Sequence, residues 1–374
     1  MLTNFRGDKQ LSMLRFGDLL SSEISGNHHL EIEEFFPQPF FSKVFPGKRW
    51  KKWGAYFDKY LLFPQKIKNR LQSFPKPIDL VHIIDHSNSV YLPQFKKISH
   101  AKRMITCHDL IAIRTAQGEF HNAPQTSRSG KRLQRWIHNS LDHADYYACD
   151  SLQTKQDLAR LVPGSQRKSS VLHLGTETNF QTAGEQRSSF DELPFNPSKT
   201  NYILHVGSAA WYKNRNALFK TFRQAYEKFP NLDLKLTLVG PKPQNEEWDT
   251  DLSDWFQSHQ ASFLCLNHLT EDTLGVVYKH AKALVFPSHI EGFGWPPLEA
   301  ATQGCPVITT RTGAISDLLG DYANYIDSEI QASIEQAVFR VLQSPDQKKV
   351  PPILPNPNDC RKMYYDRYNQ LVNN

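Results

Sequence analysis

The stretch formed by residues 286–307 constrains the fold of this chain more than any other part of its sequence. It begins at the end of a short apolar run, residues 283–286, which Pro287 and Ser288 close, so the pattern predicts a buried strand followed by a turn. A loop with two glycines and then a proline pair come next. Proline suits the first position of a helix, because its missing N–H would have no partner there. The stretch therefore predicts a strand, a glycine loop and a helix, which together direct free backbone N–H groups and a positive helix end at an anion.

Two carboxylates occupy fixed places in this stretch. Glu291 lies on the loop, and Glu299 lies about one turn into the predicted helix. Gly292 and Gly294 would let the backbone approach a ligand closely. A carboxylate can accept two hydrogen bonds from neighbouring hydroxyls, as a sugar ring presents them. Glutamate is favoured in a first helical turn in any case, which would be enough to explain Glu299 alone. The whole stretch is better explained by a sugar-nucleotide site.

The segment E-G-F-G-W-P-P-L-E at 291–299, followed by Ala300 and by G-C-P-V at 304–307, resembles a known family motif. It is similar to the E-x7-E motif of retaining glycosyltransferases of family 4, the glycosyl transferases group 1. A match of this length is far more specific than a lone glycine motif. The resemblance implies an α/β chain with the GT-B fold, in which two Rossmann-like, doubly wound parallel-sheet domains flank an interdomain cleft. It covers nearly the whole chain and is strongest from about residue 202 to residue 327.

The composition agrees with a globular protein of two domains. The chain has 374 residues and a net charge of +6, which suits anionic ligands or membranes but identifies neither. No apolar run approaches the roughly 20 residues that a spanning helix needs, and residues 1–9 lack a signal-peptide core. The five cysteines form no Cys-x-x-Cys pair. This spacing argues against a disulfide framework or a zinc site and suits a reducing cytoplasm. We therefore expect a cytoplasmic protein, with peripheral contact at the inner face of the membrane.

Strand and helix patterns alternate along both halves of the chain. Residues 1 to about 180 alternate in this way, which predicts a parallel, doubly wound sheet. Residues 181–200 are polar and predict a linker, after which the alternation restarts. We therefore predict a first domain at 1–185, joined by a last helix at about 359–374, and a second domain at 200–357. The resemblance implies that the first domain binds the acceptor and the second binds the nucleotide-sugar donor.

A second group of candidate residues follows the predicted strand at 202–206. The pattern V-G-x4-Y-K-N resembles the phosphate-contacting loop of the family, whose lysine binds the donor pyrophosphate and is matched here by Lys213. A basic residue at a helix N-terminus opposes the helix dipole, so an anion is expected to compensate it. Many members carry an arginine earlier in this loop, where this chain has Ser208 and two alanines. Arg215 follows the lysine, and it could equally be an ordinary surface residue.

Two histidines follow strands in the first half of the chain. His86 and His108 each come directly after a predicted strand, next to Asp85 and Asp109 respectively. Ligands of open α/β sheets gather at the carboxyl ends of the strands. The family also carries strand-T-x-H-D-L in this half, so His108 is predicted to face the cleft near the sugar, with a structural role as the alternative. The histidines at 28 and 29 lie near acids, but their spacing fits no metal-ligand set.

Residues 48–76 combine basic and aromatic side chains. The segment has one acid, Asp58, among many lysines, arginines and aromatic residues. Such a helical segment suits an anionic membrane surface, and we predict peripheral membrane contact through it. The more common explanation is a helix with aromatic residues in the core and a solvated lysine face. No motif supports a nucleic-acid partner, so none is predicted.

The resemblance assigns roles to the matching residues. Glu299 should bond the ribose hydroxyls, and Glu291 should bond hydroxyls of the transferred sugar. Lys213 should stabilise the charge on the departing diphosphate, usually the largest catalytic contribution. The predicted catalytic residues are Glu291, Lys213 and His108, and the predicted donor-binding residues are Glu299, Phe293, Gly294, Gly207, Ser208, Arg215 and Leu269. Phe293 and Gly294 would act through backbone N–H groups, and Leu269 through the backbone that faces the base.

The predicted reaction is the retaining transfer of a hexose, with mannose as the leading candidate, from a nucleotide-diphosphate sugar. The acceptor would be a glycan, a lipid-linked saccharide or a small molecule in polysaccharide or glycolipid biosynthesis. No metal or cofactor is implied, because the lysine and the helix end can take the place of a cation. One alternative is a catalytically silent member that acts as a binding partner in a glycan-assembly complex, which the missing loop arginine favours. Another is a basic membrane or nucleic-acid adaptor.

Overall fold

The computed structural model describes residues 1–8, 11–24, 30–44, 47–74, 76–98, 100–176, 192–243, 250–267, 269–344 and 349–373. The chain divides into two compact units. Unit 1 comprises Met1–His121, Gln125–Gly175 and Pro357–Asn374, and unit 2 comprises Asn122–Pro124 and Thr176–Asn356. Most of the predicted linker, residues 181–191, lies outside the described residues, as do the histidines at 28 and 29.

Unit 1 is built on a four-stranded parallel sheet. Its strands are β1 (Leu80–Ile83), β2 (Lys102–Cys107), β3 (Tyr146–Cys149) and β4 (Ser169–Val171), in the order β1-β2-β3-β4. Nearly every residue of β1, β2 and β3 is buried, as expected for strands that helices cover on both faces. Near the N-terminus, Leu2 forms isolated parallel bridges with Phe35 and with Ile83.

The helices of unit 1 follow the predicted alternation. They are α1 (Leu11–Ile24), α2 (Phe41–Val44), α3 (Lys48–Phe57), a π-helical turn at Asp58–Leu62, α4 (Phe63–Gln72), α5 (Ile111–Gln117), α6 (Arg128–Leu141) and α7 (Leu152–Leu161). Short 3-10 segments occur at Arg6–Asp8, His86–Lys97 and Pro163–Lys168. Ser151 caps α7, because its hydroxyl oxygen accepts a hydrogen bond from the Thr154 N–H at 3.0 Å.

The final helix of the chain packs on the sheet of unit 1. This helix, numbered α14 below, spans Pro357–Asn373. Its Tyr368 hydroxyl lies 2.7 Å from Nδ1 of His82, and its Tyr364 hydroxyl lies 3.1 Å from the Thr106 hydroxyl. Nε2 of His82 lies 2.8 Å from the same threonine. Because all four groups are buried and bonded, the polar network fixes the helix against β1 and β2.

Unit 2 contains a six-stranded parallel sheet. Its strands are β5 (Tyr202–Val206), β6 (Lys235–Val239), β7 (Phe263–Leu266), β8 (Ala283–Phe286), β9 (Val307–Thr309) and β10 (Asn324–Tyr325). Their order across the sheet is β7-β6-β5-β8-β9-β10, which is the 3-2-1-4-5-6 order of the Rossmann fold. The order reverses between β5 and β8, where Ile203 pairs with Ala283. Such a switch point opens a crevice at the carboxyl ends of the two strands.

Helices connect the strands of unit 2. They are α8 (Arg215–Lys228), α9 (Thr250–Ser258), α10 (Glu271–His280), α11 (Trp295–Thr302), α12 (Ile315–Leu319) and α13 (Gln331–Gln343), with 3-10 turns at Trp211–Lys213, Pro230–Leu232, Gln260–Ser262 and Gly320–Tyr322. Thr270 caps α10, since its hydroxyl accepts a hydrogen bond from the Thr273 N–H at 3.2 Å. Within the described ranges of both units, no helix is long and apolar enough to cross a membrane.

Two glycines hold the ends of β5 and β6 close together. Gly240 has a φ of +142°, and a Cβ atom built on it would lie 2.2 Å from the carbonyl oxygen of Gly207. Gly207 itself donates its N–H to the Val239 carbonyl at 3.0 Å. Any side chain at position 240 would therefore push apart the backbone that begins the Lys213 loop.

Substitution of Gly240 by alanine should destabilise unit 2. Alanine in a left-handed conformation costs roughly 1–2 kcal/mol, and the contact with Gly207 should raise the total loss to about 3 kcal/mol. Gly304→Ala is the matched control, because its φ is +69° but the nearest atom to its Cβ is 3.9 Å away. Thermal unfolding should show a larger drop in midpoint for Gly240→Ala than for Gly304→Ala. Equal drops would contradict the close approach at Gly207.

Candidate functional site

Two loops meet at the switch point of unit 2. The loop after β5 carries Lys213, and the loop after β8 carries Glu291. The Lys213 ammonium lies 2.8 Å from Oε1 of Glu291, and the two side chains are only 11% and 9% exposed. The residues are 78 positions apart in the chain, so only the adjacency of β5 and β8 brings them together. The structure therefore unites the two residues that the sequence predicts to be catalytic in this half of the chain.

Aromatic rings surround the Lys213 ammonium. It lies 4.6 Å from the centroid of the Phe286 ring and 5.4 Å from that of Tyr212, which favours the cation by its attraction to the ring faces. A Cβ atom at Gly207 would come within 3.7 Å of the lysine side chain. Asn214 adopts a left-handed conformation with a φ of +52°, which ends the 3-10 turn and begins α8. This turn directs Lys213 toward Glu291 rather than along the helix.

His205 lies below this loop and was not predicted from the sequence. Its Nδ1 donates to the Val285 carbonyl at 3.0 Å, so Nε2 carries a lone pair, and Nε2 lacks a hydrogen-bond partner among the described residues. Burial, assisted by the charges of Arg215 and Lys213, lowers the pKa of His205 to about 3. The ring is therefore neutral and supplies no positive charge beside Lys213. Its one sequence signal is a histidine two residues before the loop glycine.

The loop that carries Glu291 is shaped by its glycines. Gly294 has a φ of +92°, and a Cβ atom on it would lie 2.5 Å from the Ile315 side chain. A Cβ atom on Gly313, the next loop along, would lie 2.6 Å from the carbonyl oxygen of Gly292. The Phe293 carbonyl accepts a hydrogen bond from the Ala314 N–H at 3.2 Å. The loop is therefore packed closely on the segment after β9, which fixes the position of Glu291.

Glu299 lies on α11, which begins at Trp295 as the proline pair predicts. Its side chain is buried, and Oε2 accepts a hydrogen bond from the Tyr278 hydroxyl at 3.0 Å. Gly294 forms the N-cap of this helix. The loop glycines and Glu299 thus lie at the same helix N-terminus, where the first N–H groups lack partners within the helix.

Arg215 is not the surface residue that the sequence left open. It is 5% exposed, and Nη1 donates to the Pro241 carbonyl at 3.1 Å. Its guanidinium lies 5.5 Å from the centroid of the Phe219 ring. The surface alternative is therefore wrong, because the side chain folds inward against the loop after β6. A role in donor binding stays a prediction.

The other two predicted donor residues are Ser208 and Leu269. Ser208 is exposed, and its hydroxyl accepts from the Ala210 N–H at 3.4 Å. Leu269 is half-buried and directly precedes the N-cap of α10. Their contacts with a donor stay predictions, and the neighbouring His268 lies outside the described residues.

His108 lies at the carboxyl end of β2, as predicted, but it is buried in unit 1. Its Nε2 donates to the Ile84 carbonyl and its Nδ1 to Oδ2 of Asp150, both at 2.7 Å. The edge of the Phe16 ring covers it at 5.0 Å between centroids. Burial opposes the charged ring, but the Asp150 and Asp85 carboxylates outweigh it and raise the pKa of His108 to about 9. The geometry is that of a buried ion pair, and a catalytic role stays a prediction.

One pair of acids bears on the prediction that the chain needs no metal. Asp249-Thr250-Asp251 has the Asp-x-Asp spacing that metal-dependent glycosyltransferases use, and the prediction of metal independence overlooks it. Asp249 lies outside the described residues, and Asp251 is 83% exposed and pairs with Arg223 at 2.6 Å. Across the described ranges, no three histidine, cysteine or acidic side chains are grouped as metal ligands. Metal independence stays a prediction.

Comparison with known proteins agrees with this geometry. Residues 187–351 match the family model described as glycosyl transferases group 1. The chain is 25% identical over 221 residues to the D-inositol 3-phosphate glycosyltransferase of Corynebacterium glutamicum, covering 56% of this chain and 50% of that protein. It is 30% identical over 150 residues to the O-antigen chain mannosyltransferase RfbU of Salmonella typhimurium, covering 40% of each. The matched part thus spans about half of the length of these relatives.

A solved structure extends the likeness to nearly the whole chain. The sucrose-phosphate synthase of Thermosynechococcus elongatus superposes with a TM-score of 0.73 at 18% identity, covering 96% of this chain and 93% of that one. At this identity the likeness establishes the fold alone. The predicted α/β architecture of two Rossmann-like parallel-sheet domains, the GT-B fold, is therefore confirmed.

The pairing of His108 with Asp150 should make the stability of unit 1 depend on pH. The folded pKa of about 9 exceeds the unfolded value of roughly 6.5, so this stabilisation is complete below pH 6.5 and is lost as the pH rises toward 9. The steepest loss should be roughly 1.4 kcal/mol per pH unit. Unfolding midpoints of the wild type and Asp150→Asn between pH 6 and pH 9 measure it.

The Asp150→Asn variant should be less stable at pH 7 and should show a flatter profile over this range. Asp145→Asn is the control, because it removes a different ion pair, with Arg103, and should leave the slope unchanged. Parallel profiles for the wild type and Asp150→Asn would contradict the ion pair.

The pair formed by Lys213 and Glu291 should show energetic coupling. Lys213→Met or Glu291→Gln leaves one largely buried charge without its partner, so each variant should be less stable than the wild type. The double variant should lose less than the sum, with a coupling energy of about 1–3 kcal/mol. Denaturant unfolding of the four proteins measures it. Additive losses would show that the two side chains do not interact in solution.

Proposed function

We propose that this chain is a retaining glycosyltransferase, because residues 187–351 match the family model described as glycosyl transferases group 1. It moves a hexose from a nucleotide-diphosphate sugar to an acceptor hydroxyl. The observation that carries the proposal is the ion pair of Lys213 and Glu291 at the switch point of a Rossmann sheet. This is where ligands of such sheets bind, and both residues match the family motifs there.

The ion pair itself indicates how the donor would be held. Without a donor, the ammonium of Lys213 and the carboxylate of Glu291 neutralise each other. A diphosphate carries more negative charge than one carboxylate and would compete for the ammonium. Glu291 would then be free to accept hydrogen bonds from the sugar hydroxyls. Because Lys213 would exchange Glu291 for the diphosphate, its largely buried ammonium would have an anionic partner both before and after the donor binds.

The helix end supports the same donor. The N-terminus of α11 and the loop before it present backbone N–H groups and a partial positive charge, which favour a phosphate. Glu299 lies one turn further along and would accept hydrogen bonds from the ribose hydroxyls. Its bond from Tyr278 fixes the carboxylate in place for this role.

The chemistry follows from these placements. The bond between the sugar C1 and the diphosphate oxygen breaks, and the bond pair leaves with the diphosphate. Lys213 and the helix end stabilise the growing charge in a water-poor site, where fixed charges and dipoles are most effective. The acceptor oxygen attacks C1, and its proton passes to the departing phosphate. Attack on the face from which the diphosphate departs would give retention.

Mannose is the proposed sugar, supported by the likeness to a protein named as a mannosyltransferase. The acceptor would be a glycan, a lipid-linked saccharide or a small molecule in polysaccharide or glycolipid biosynthesis. Peripheral membrane contact through residues 48–76 belongs to the same proposal, since it would bring the protein to a lipid-linked acceptor.

A thermal-shift panel of nucleoside diphosphates and nucleotide sugars should identify the donor. A ligand at 100 times its Kd stabilises a protein by about 2.7 kcal/mol. We expect one nucleoside diphosphate and its sugar to raise the unfolding temperature of the wild type. Lys213→Ala and Glu299→Gln should reduce that shift, because they remove the diphosphate and ribose contacts.

Lys220→Ala is the matched control, since Lys220 is an exposed lysine on α8, the helix that follows the loop carrying Lys213. Its shift should equal that of the wild type. If no nucleotide stabilises the wild type at millimolar concentration, the proposed donor site is wrong. If a nucleotide binds but no sugar is transferred or hydrolysed, the silent binding partner becomes the better explanation.

A further inference from the structure

Unit 1 exposes an unusual concentration of large apolar side chains. Half of the exposed large hydrophobic residues in the described part of the chain lie between positions 40 and 61. They are Phe40, Val44, Trp50, Trp53, Phe57 and Leu61, with exposures of 44% to 69%. Monomeric proteins rarely group such residues unless the patch contacts another molecule.

The apolar residues form one surface because α2 is held tightly beside α3. The buried carboxylate of Asp58 accepts hydrogen bonds from the backbone N–H groups of Phe40, Phe41 and Ser42 at 3.1, 2.9 and 3.0 Å. At Gly54 a Cβ atom would lie 2.7 Å from the backbone of Phe41, so only glycine permits this approach. The chain thus fixes α2 with Phe40 and Val44 exposed.

The exposed residues of α3 continue this surface along the helix axis. Positions 50, 53, 57 and 61 are spaced by three and four residues, which places them on one side of a helix. The buried side of the following helix is formed instead by Phe63 and Ile67. The apolar stripe therefore faces solvent along α3 and the π-helical turn.

A chain of aromatic rings links this stripe to a second helix, α6. The rings of Trp53 and Tyr56 are 6.0 Å apart, those of Tyr56 and Tyr60 are 5.7 Å apart, and those of Tyr60 and Trp136 are 5.5 Å apart. Trp136 lies on α6 and is itself 44% exposed. The surface thus extends beyond the segment that the sequence singled out.

Helices α2, α3, α4 and α6 carry exposed cations. Within the described residues, the exposed basic side chains of these helices that form no salt bridge are Lys43, Lys51, Lys52, Lys66, Lys68, Arg128, Lys131, Arg132 and Arg135. The sequence of α6 contains no acid, and the one acid of residues 48–72 is Asp58, which is buried beneath α2. We call the apolar stripe, Trp136 and these cations the aromatic–basic face.

We propose that the aromatic–basic face docks on a bilayer that contains anionic lipid. Tryptophan favours the headgroup level of a bilayer, and each basic residue near an anionic surface contributes about 1 kcal/mol of attraction. A nucleic acid would match the cations and could stack on the tryptophans, but it offers little to aliphatic Val44 and Leu61. The proposed function includes membrane contact through residues 48–76, and this inference adds α6 to that surface and requires anionic lipid. It rests on the proposed function, because a lipid-linked acceptor is the reason for the protein to bind a membrane.

Vesicle sedimentation tests the inference directly. The full chain is mixed with vesicles of phosphatidylcholine alone, or of phosphatidylcholine with phosphatidylglycerol, at low and high salt. The charge variant is Arg132→Glu/Arg135→Glu on α6, and the apolar variant is Trp50→Ala/Trp53→Ala. The matched control is Arg167→Glu/Lys168→Glu, which makes the same change in net charge at another exposed site of unit 1.

The wild type and the control should sediment with the anionic vesicles, less so at high salt, and should remain in the supernatant when the vesicles are neutral. The α6 variant should partition at least about tenfold less, because four units of charge are lost near the surface. The tryptophan variant should also bind less. Circular dichroism and the nucleotide shift of each variant, measured without vesicles, keep a failure to fold or a failure of the donor site separate from this result.

Absence of wild-type binding to anionic vesicles would overturn the inference, whatever the donor panel shows. Equal losses for the α6 variant and the control would also overturn it, since net charge rather than this face would then determine binding. Binding to single-stranded or duplex nucleic acid without vesicle binding would replace the membrane by a nucleic-acid partner.

Discussion

The contact between Lys213 and Glu291 is the interaction around which the loops of the candidate site in unit 2 are arranged. Neither charge could remain largely buried alone, because desolvation of an isolated ion costs far more than a protein domain can spare. The pair forms only because β5 and β8 are neighbours, and the loops can approach only because glycines stand at 207, 240 and 294. The strand order, the glycine positions and the two charges therefore explain one another, and the same contact leaves the cation beside a helix N-terminus.

The sequence predicts the parts of this site that are local in the chain. Glu291, Glu299 and the loop glycines fall within a short segment, and Lys213 follows directly from a strand and its glycine. Their meeting at 2.8 Å is not local, because it depends on the order of the strands across the sheet. His205 was missed for a related reason. Its low pKa comes from burial and from the charges of two neighbouring side chains, none of which a histidine within a strand pattern reveals.

The dependence of contacts on strand order also limits what the sequence predicts in the first half of the chain. The sequence correctly places His108 at the end of β2, but its partner Asp150 follows the next strand of the sheet. A histidine with both ring nitrogens bonded and a phenylalanine edge against it is better suited to joining strand ends than to exchanging protons with a substrate. The position of a residue along a strand is thus predictable, while its partners depend on tertiary packing.

Residues 48–72 show how packing decides between two explanations that the sequence leaves open. The explanation by a helix with core aromatic residues and solvated lysines is correct for Phe63, which is buried. It is wrong for Trp50 and Trp53, which are exposed. The exposed residues before and within the π-helical turn, at 50, 53, 57 and 61, and the buried Phe63 and Ile67 after it each follow helical spacing, so the two sets lie on different sides of the helical segment. The carboxylate of Asp58, at the start of this turn, also secures α2. The one acid of the segment is thus removed from the surface, which leaves tryptophans and lysines together there. Exposure of both residue types follows from this local packing, and it is their combination, rather than the net charge of the chain, that favours an anionic bilayer as the partner.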